Sequence, residues 1–342
     1  MKTDIKGYTL EELNLLGEKL GWERYRPVQI FQWLYQKDAD SFDQMTNLSK
    51  QFRAELAERF YISRLEPVRT IKSEDRTTKC TFTLQDGNLI ESVLIFDQNR
   101  RTICLSTQAG CSLACRFCAT GRMGFKRNLK WFEIVEQAQA LIRTTNVKPT
   151  NIVLMGMGEP LLNLDEVLKA VKVINSNYGL RIGARRITIS TAGIPEGILQ
   201  IAQFPLQVRL AISLNATDDK TRSELMPVNK RYPLKTLLNA AREYVKITRR
   251  RLTFEYVLIQ GVNNLPLDAQ RLTKLLKNIP CKINLIPFNP FPGTKFQPPS
   301  EDDVKRFAQA LYPHLPAVTI RKSKGGSIQA GCGQLAALID NA

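Results

Sequence analysis

Histidine is almost missing from the sequence, since His314 is the single one in 342 residues. Histidine is the side chain that most often accepts or donates protons near neutral pH, and it is a frequent zinc ligand. Its scarcity argues against a histidine general base and against a histidine-rich metal site. Metal or proton chemistry must therefore rest on other side chains.

Long apolar segments are missing as well. No run approaches the ~20 apolar residues of a membrane span, and no signal-peptide pattern is present. The seven cysteines are an odd number, which argues against a secreted disulfide framework and favours a reducing compartment. We therefore expect a cytoplasmic protein that does not cross a membrane.

Acidic residues are scarce relative to basic ones. The sequence has 49 Lys and Arg against 32 Asp and Glu, which gives a net charge of +17. An excess of this size favours a polyanionic partner, most often a nucleic acid. The basic residues that we expect to contact phosphates are Arg181, Arg185, Arg186, Lys230, Arg231, residues 249–251, Arg321, Lys322 and Lys324.

Three of the cysteines form one short motif. Cys111, Cys115 and Cys118 have the spacing CxxxCxxC, and Phe117 precedes the last of them. Three thiolates hold three irons of a [4Fe–4S] cluster and leave the fourth iron open, whereas clusters that only carry electrons usually have four cysteine ligands. A structural zinc site, which prefers four ligands in paired knuckles, and three unrelated thiols are the alternatives. The motif resembles the signature of the radical S-adenosylmethionine (SAM) enzymes, in which SAM binds the open iron.

The first part of the chain, residues 1–65, has helical periodicity and helix caps. Thr9 and Glu12 have the spacing of a capping box before the first helix. We predict a small helical accessory domain here, and nothing in it carries chemistry.

The next segment, residues 66–100, changes to a strand pattern. Asp86-Gly87-Asn88 lies between two such strands and predicts a β-hairpin extension. Glu91 stands at the start of the second strand, where a lone carboxylate is usually solvated.

In the remainder, residues 101–342, strand patterns alternate with helical ones. The apolar, β-branched runs are 103–106, 151–155, 186–190, 208–214, 252–259, 282–286 and 318–321. Alternation of this kind predicts an α/β fold with a parallel sheet and right-handed crossovers. The units are fewer than the eight of a closed barrel, so we predict a partial, open (β/α)6 barrel. Reactive groups gather where such strands end, and the cysteine motif follows the first strand.

Glycine and polar residues follow several later strands. The turn at residues 156–160 follows the second barrel strand, and its glycines allow a ligand to approach the backbone closely. It resembles the motif that holds the methionine end of SAM in radical SAM enzymes. The residues that we predict to surround SAM are Gly158, Glu159, Ser190, Ser213, Leu214, Asn215 and Asn289.

Two further cysteines are candidates for chemistry. Cys332 lies between two glycines after a basic segment, and a thiol on such a loop is more accessible than a core thiol. Cys104 lies on the strand before the cysteine motif, near enough to face the same site. We expect Cys80 and Cys281 to sit in apolar surroundings, where a cysteine usually acts as a small hydrophobic residue, and we assign them no role.

Taken together, these motifs resemble those of the RlmN family of radical SAM RNA methyltransferases, which methylate carbon 2 of an adenine in 23S ribosomal RNA and in tRNA. The segments that carry the resemblance are 42–49, Cys104, 111–118, 124–129, 156–163, 283–291 and 330–335. The resemblance covers nearly the whole chain.

The resemblance implies a mechanism. Carbon 2 of adenine is electron-poor and cannot attack the methyl group of SAM, so a radical route is required. By analogy, Cys332 first takes a methyl group from one SAM, and a second SAM gives a 5'-deoxyadenosyl radical that activates this methyl group for addition to the ring. Glu91 matches the proton acceptor of the family. Cys104 matches the resolving cysteine, which forms a transient disulfide with Cys332.

The resemblance also implies cofactors and partners. We expect a [4Fe–4S] cluster held by Cys111, Cys115 and Cys118, two SAM molecules per turnover, and a flavodoxin or ferredoxin as electron donor. The substrates would be 23S rRNA and tRNA, and the protein would be a monomer. Two alternatives remain at this point: the similar enzyme that methylates carbon 8 of adenine, and a non-enzymatic iron–sulfur or zinc protein that binds RNA.

Overall fold

The computed structural model describes residues 2–312, 314–315 and 317–336. Its first unit is helical, with two very short strands that pair in parallel through Thr3 and Phe60. The elements of this unit are β1 (Thr3–Asp4), α1 (Leu10–Lys19), α2 (Arg26–Tyr35), α3 (Lys50–Arg59) and β2 (Phe60–Tyr61).

The predicted capping box at the start of α1 is confirmed. The Thr9 hydroxyl accepts a hydrogen bond from the Glu12 backbone N–H at 3.2 Å, and the Glu12 carboxylate accepts one from the Thr9 N–H at 2.7 Å. These two bonds satisfy backbone groups that would otherwise have no helical partner.

Three antiparallel strands follow the helical unit, and they are β3 (Pro67–Lys72), β4 (Thr78–Thr83) and β5 (Leu89–Asp97). The predicted hairpin between β4 and β5 is confirmed. Its turn needs glycine because Gly87 has φ of +81°, in the left-handed region. The strand β3 lies outside the predicted hairpin and extends it to three strands.

Strands alternate with helices through the rest of the chain. The strands are β6 (Arg100–Cys104), β7 (Gln108–Gly110), β8 (Phe125–Asn128), β9 (Asn151–Leu154), β10 (Ile187–Thr191), β11 (Arg209–Ser213), β12 (Leu252–Leu258), β13 (Cys281–Pro287) and β14 (Val318–Ile320). The helices are α4 (Ala119–Arg122), α5 (Trp131–Thr145), α6 (Leu164–Asn175), α7 (Pro195–Gln203), α8 (Asp219–Leu225), α9 (Leu234–Thr248), α10 (Pro266–Leu276) and α11 (Glu301–Leu311).

Ten of the strands form one sheet, in the order β14-β13-β12-β11-β10-β9-β6-β5-β4-β3, while β7 and β8 pair antiparallel in a separate two-stranded sheet. All neighbours from β6 to β14 pair in parallel, while β3 to β6 pair antiparallel. The edge strands β14 and β3 are not paired with each other, so the barrel is open. The predicted partial (β/α) barrel is confirmed.

The strands show why the barrel has one apolar and one polar face. In β10, Ile187 and Ile189 are buried in the core, while Thr188 and Ser190 alternate with them and are partly exposed. Alternation with period two places the two sets on opposite faces of the sheet. The isoleucines join the hydrophobic core, and Ser190 lines the cavity inside the barrel.

The helical unit is fastened to the barrel by polar contacts with α5. Lys6 and Glu136 form a buried ion pair, and Arg143 pairs with Asp38 at 2.8 Å. Of the helices described, none is long and apolar enough to cross a membrane.

Candidate active site

A single cavity collects most of the residues that the sequence analysis selected. It lies where the parallel strands end, between the cysteine motif and the segment around Cys332. Its lining includes the predicted residues Cys104, Cys111, Cys115, Cys118, Gly158, Glu159, Ser190, Ser213, Asn215, Asn289 and Cys332. Two predicted residues do not line it, because Leu214 lies in the core and Glu91 is covered by the C-terminal segment.

The loop with the three cysteines is shaped by backbone hydrogen bonds. The Cys111 N–H donates to the Gly124 carbonyl at 3.0 Å, and the Arg116 N–H donates to the Leu225 carbonyl at 3.0 Å. The residue between them, Ala114, has φ of +50°, which makes the sharp bend that turns the loop back. The loop is therefore anchored at both ends while its thiols face the cavity.

The thiols of this loop are the ligands that a [4Fe–4S] cluster with one open iron takes. Cys111, Cys115 and Cys118 are free. Across the part of the chain that the structure describes, no three His, Cys, Asp or Glu side chains converge closely enough to hold one metal ion. Desolvation by burial raises the pKa of Cys111 to about 12 and also raises those of the other two thiols, so iron must displace their protons on binding.

The glycine turn after β9 is packed too closely for larger residues. A Cβ on Gly156 would lie 2.7 Å from the Leu105 carbonyl oxygen, and one on Gly158 would lie 2.5 Å from the Cβ of Gln108. Gly158 also has φ of +99°. The turn therefore brings its backbone directly to the edge of the cavity beside the cysteine loop.

Glu159 is buried in this turn and is already bonded to the protein. One carboxylate oxygen accepts the Leu161 N–H at 3.0 Å, and the other accepts the Ala192 N–H at 2.7 Å. Burial raises its pKa to about 6, and these backbone hydrogen bonds oppose the shift. The carboxylate joins the turn to the end of β10, and so it fixes the positions of two cavity walls.

The two asparagines that we predict to surround SAM are also held in place. Asn215 accepts the Val257 N–H at 2.8 Å through its side-chain oxygen, and its φ is +58°. The Asn289 side chain donates to the Cys332 carbonyl oxygen at 3.1 Å. Asn289 therefore connects the end of β13 to the loop that carries Cys332.

The two remaining thiols of the cavity, Cys332 and Cys104, interact electrostatically. Cys332 is exposed to the cavity and Cys104 is 8% exposed. Desolvation raises the pKa of Cys332 to about 11 and that of Cys104 to about 12, and the charge of Cys332 contributes to the second shift. The positive charge of Arg321 opposes both shifts.

Glu91 is fully enclosed on β5, in contrast to a solvated strand end. It is 2% exposed, and its carboxylate contacts Lys79 at 3.1 Å and Thr81 at 3.3 Å. Its second oxygen accepts the Ala336 N–H at 3.0 Å. The C-terminal segment therefore lies directly on this carboxylate.

Sequence reasoning missed Glu255, a buried carboxylate in the cavity wall. One oxygen accepts a hydrogen bond from Asn284 at 2.9 Å, and the other has no partner among the described residues. Burial raises the pKa of Glu255, while the charge of Arg321 lowers it. The feature of the sequence that could have revealed this residue is a single carboxylate at the centre of the largely apolar strand β12.

Comparisons with known proteins cover both parts of the chain. A family model described as the radical SAM superfamily matches residues 105–269, and one described as the ribosomal RNA large subunit methyltransferase N-terminal domain matches residues 3–62. A dual-specificity RNA methyltransferase RlmN from Pelobacter propionicus is 46% identical over 341 residues, which cover 100% of this chain and 98% of that protein. Its counterpart from Syntrophus aciditrophicus is 49% identical over 336 residues, which cover 98% and 96% of the two chains.

A solved structure agrees with these sequence matches. The crystal structure of a radical SAM methyltransferase from Sphaerobacter thermophilus has a TM-score of 0.93 and 44% identity, and the match covers 98% of this chain and 100% of that one. The open barrel and its three-cysteine loop define a radical SAM enzyme. At these identities over nearly its whole length, the chain belongs to the RlmN family. Membership implies a [4Fe–4S] cluster and SAM as cofactors.

Proposed function

We propose that this protein methylates carbon 2 of an adenine in 23S rRNA and in tRNA, with Cys332 as the residue that carries the methyl group. The observation that carries the proposal is the presence of two further thiols, Cys332 and Cys104, in the same cavity as the three-cysteine loop. A one-step transfer needs neither of them. The names of the relatives, dual-specificity RNA methyltransferases, support RNA as the substrate.

The residues of the three-cysteine loop would hold the cluster. Cys111, Cys115 and Cys118 supply three thiolates, and the turn at residues 156–160 would hold the amino acid end of SAM. When bound, the cluster supplies the electron that cleaves SAM to a 5'-deoxyadenosyl radical. Two SAM molecules are consumed per turnover, because one provides the methyl group and the other provides the radical.

The chain's own residues then carry the methyl group to the RNA. The Cys332 thiolate displaces the methyl group from the SAM sulfonium, which leaves S-adenosylhomocysteine. The methyl group on Cys332 loses one hydrogen atom to the 5'-deoxyadenosyl radical, which becomes 5'-deoxyadenosine, and its carbon adds to carbon 2 of the adenine, so that protein and RNA are covalently joined. Glu91 then accepts the proton from carbon 2, and the unpaired electron that the radical addition leaves on the ring would return to the cluster. Last, the Cys104 thiolate bonds to the sulfur of Cys332 as the sulfur–carbon bond breaks; the electron pair of that bond stays with the transferred carbon, which takes up a proton to become the methyl group.

Nucleoside analysis tests this proposal directly. The purified, cluster-loaded protein is incubated with SAM, a reductant and unmodified 23S rRNA or tRNA, and the digested RNA is analysed by mass spectrometry. We expect 2-methyladenosine with the native protein and none with Cys111→Ala, Cys115→Ala or Cys118→Ala, which should also lose iron. Formation of 8-methyladenosine would contradict the assigned carbon, and iron-replete Cys→Ala variants would contradict the ligand assignment.

A further inference from the structure

The surroundings of Glu91 show one basic side chain at hydrogen-bond distance. Lys79 and Glu91 form an ion pair at 3.1 Å, and their side chains are only 10% and 2% exposed. A buried charge is costly unless it is paired, so each of the two groups depends on the other. Thr81, on the same strand as Lys79, donates a second contact to the same carboxylate oxygen at 3.3 Å.

Lys79 also reaches the loop that carries Cys332. Its ammonium group donates to the Gln329 carbonyl oxygen at 3.4 Å. Two more contacts tie the same part of the structure to this loop: the Gly325 N–H donates to Asp75 at 3.0 Å, and the Ala336 N–H donates to Glu91 at 3.0 Å. The strand pair β4 and β5 therefore holds the C-terminal segment both before and after Cys332.

From this arrangement we propose that Lys79 is a positioning residue for methyl transfer to the RNA. Lys79 holds the Glu91 carboxylate against the loop of Cys332, so that Glu91 can take the proton from carbon 2 of the adenine. This inference rests on the proposed function. It concerns a lysine to which neither the sequence motifs nor the comparisons assign a role.

The step that Glu91 performs is a proton transfer. The bond between carbon 2 and its hydrogen breaks, the proton moves to a carboxylate oxygen of Glu91, and the electron pair of the bond stays in the ring. Lys79 and Thr81 bind one oxygen, so the second oxygen, which the Ala336 amide contacts in this structure, is the one that takes the proton.

The proposal predicts which half of the reaction fails when Lys79 is changed. In Lys79→Met, Cys332 should be methylated as in the native protein, because the first transfer does not use Glu91. The protein–RNA adduct should then accumulate on denaturing gels, and 2-methyladenosine should fall at least ~10-fold, given that positioned acid–base groups contribute ~10²- to 10⁴-fold. Lys79→Arg should restore most of the product.

Isotopic substitution separates positioning from a structural role. RNA with deuterium at carbon 2 should show a larger isotope effect on product formation in Lys79→Met than in the native protein, because proton removal becomes rate-limiting. Lys72, exposed on β3, gives the matched control, and Lys72→Met should leave all these quantities unchanged. If Lys79→Met loses iron or has a lower melting temperature than the native protein, Lys79→Gln is used in its place.

Two results would overturn the inference. If Lys79→Met lost both the methylation of Cys332 and the protein–RNA adduct, Lys79 would only support the structure of the loop. Normal formation of 2-methyladenosine by Lys79→Met, with no accumulated adduct, would show that Glu91 does not need Lys79. Failure of the proposed function can be told apart from failure of this inference, because in the first case the native protein itself would form no 2-methyladenosine.

Discussion

At the scale of single residues, the two cavity thiols differ in access. Cys332 is exposed to the cavity, whereas Cys104 lies at its wall and is largely buried. An accessible thiol can meet SAM and then RNA, and a buried thiol beside it is protected from reacting first. The difference suits the proposed order, in which Cys332 carries the methyl group and Cys104 acts last.

Cys104→Ala tests that order. The variant should keep its cluster and methylate Cys332, but it should stop as a covalent protein–RNA adduct because no second thiol can displace the sulfur. Denaturing gels with labelled RNA measure the adduct, and Cys281→Ala, which changes a core thiol, is the control. Normal turnover by Cys104→Ala would remove this residue from the mechanism.

The ionised carboxylate of Glu255 should lower the free energy of unfolding at neutral pH, because it is buried in the cavity wall. Its pKa is raised in the folded protein, so the unfolded state binds fewer protons above about pH 4.5, and stability falls as the pH rises from there through the raised pKa. Glu255→Gln removes the charge and should increase the free energy of unfolding at pH 7 by about 1 kcal/mol, with less gain at pH 5. Urea unfolding of the cluster-free protein measures both values. A variant that is less stable than the native protein at pH 7 would contradict this.

The sequence identified the cysteines because their pattern is local, and it missed what depends on contacts between distant segments. The CxxxCxxC spacing can be read from eight consecutive residues. The unsatisfied oxygen of Glu255, and the enclosure of Glu91 by Lys79 and Ala336, arise from residues far apart in the chain. No local pattern encodes such contacts.

At the scale of elements, the cysteine loop depends on its contact with the short helix α4. A Cβ added to Gly121 would lie 2.9 Å from the backbone nitrogen of Cys115 and 3.0 Å from its carbonyl oxygen. Since both atoms belong to the backbone, the loop itself would have to move. The small size of Gly121 therefore sets the position of the middle cysteine.

Gly121→Ala should displace this loop and reduce cluster loading. Overpacking of this kind typically costs about 1–3 kcal/mol, and here the strain falls on a cluster ligand. We expect iron per chain to fall clearly in Gly121→Ala and to stay unchanged in Gly183→Ala, where an added Cβ would meet nothing within 4 Å. Full iron content in Gly121→Ala would show that the loop can adapt.

Regular elements were the part of the fold that periodicity predicted best. The predicted strand runs at residues 151–155 and 186–190 match β9 and β10 within one residue at each end. The strand β3 was missed, because its partly exposed sequence shows little of the apolar pattern on which strand prediction depends. Its place becomes clear only from pairing with β4.

At the scale of the whole molecule, the net charge of +17 should govern RNA binding. Affinity for RNA should fall linearly with the logarithm of salt concentration, and ~6–10 phosphate contacts would reduce it ~10³- to 10⁵-fold between 50 and 200 mM salt. Fluorescence anisotropy with a labelled rRNA fragment measures the slope. Lys322→Gln, near the cavity, should lower the slope by about one, and Lys235→Gln on α9 should not.

The central claim is that Cys332 carries the methyl group that reaches the RNA. The most direct test is mass spectrometry of the peptide containing Cys332, from cluster-loaded protein incubated with SAM labelled in its methyl group. We predict one labelled methyl group on Cys332 and, after RNA and reductant are added, the same label in 2-methyladenosine. An unmodified Cys332 together with labelled RNA would contradict the claim, since the methyl group would then have reached the adenine by another route.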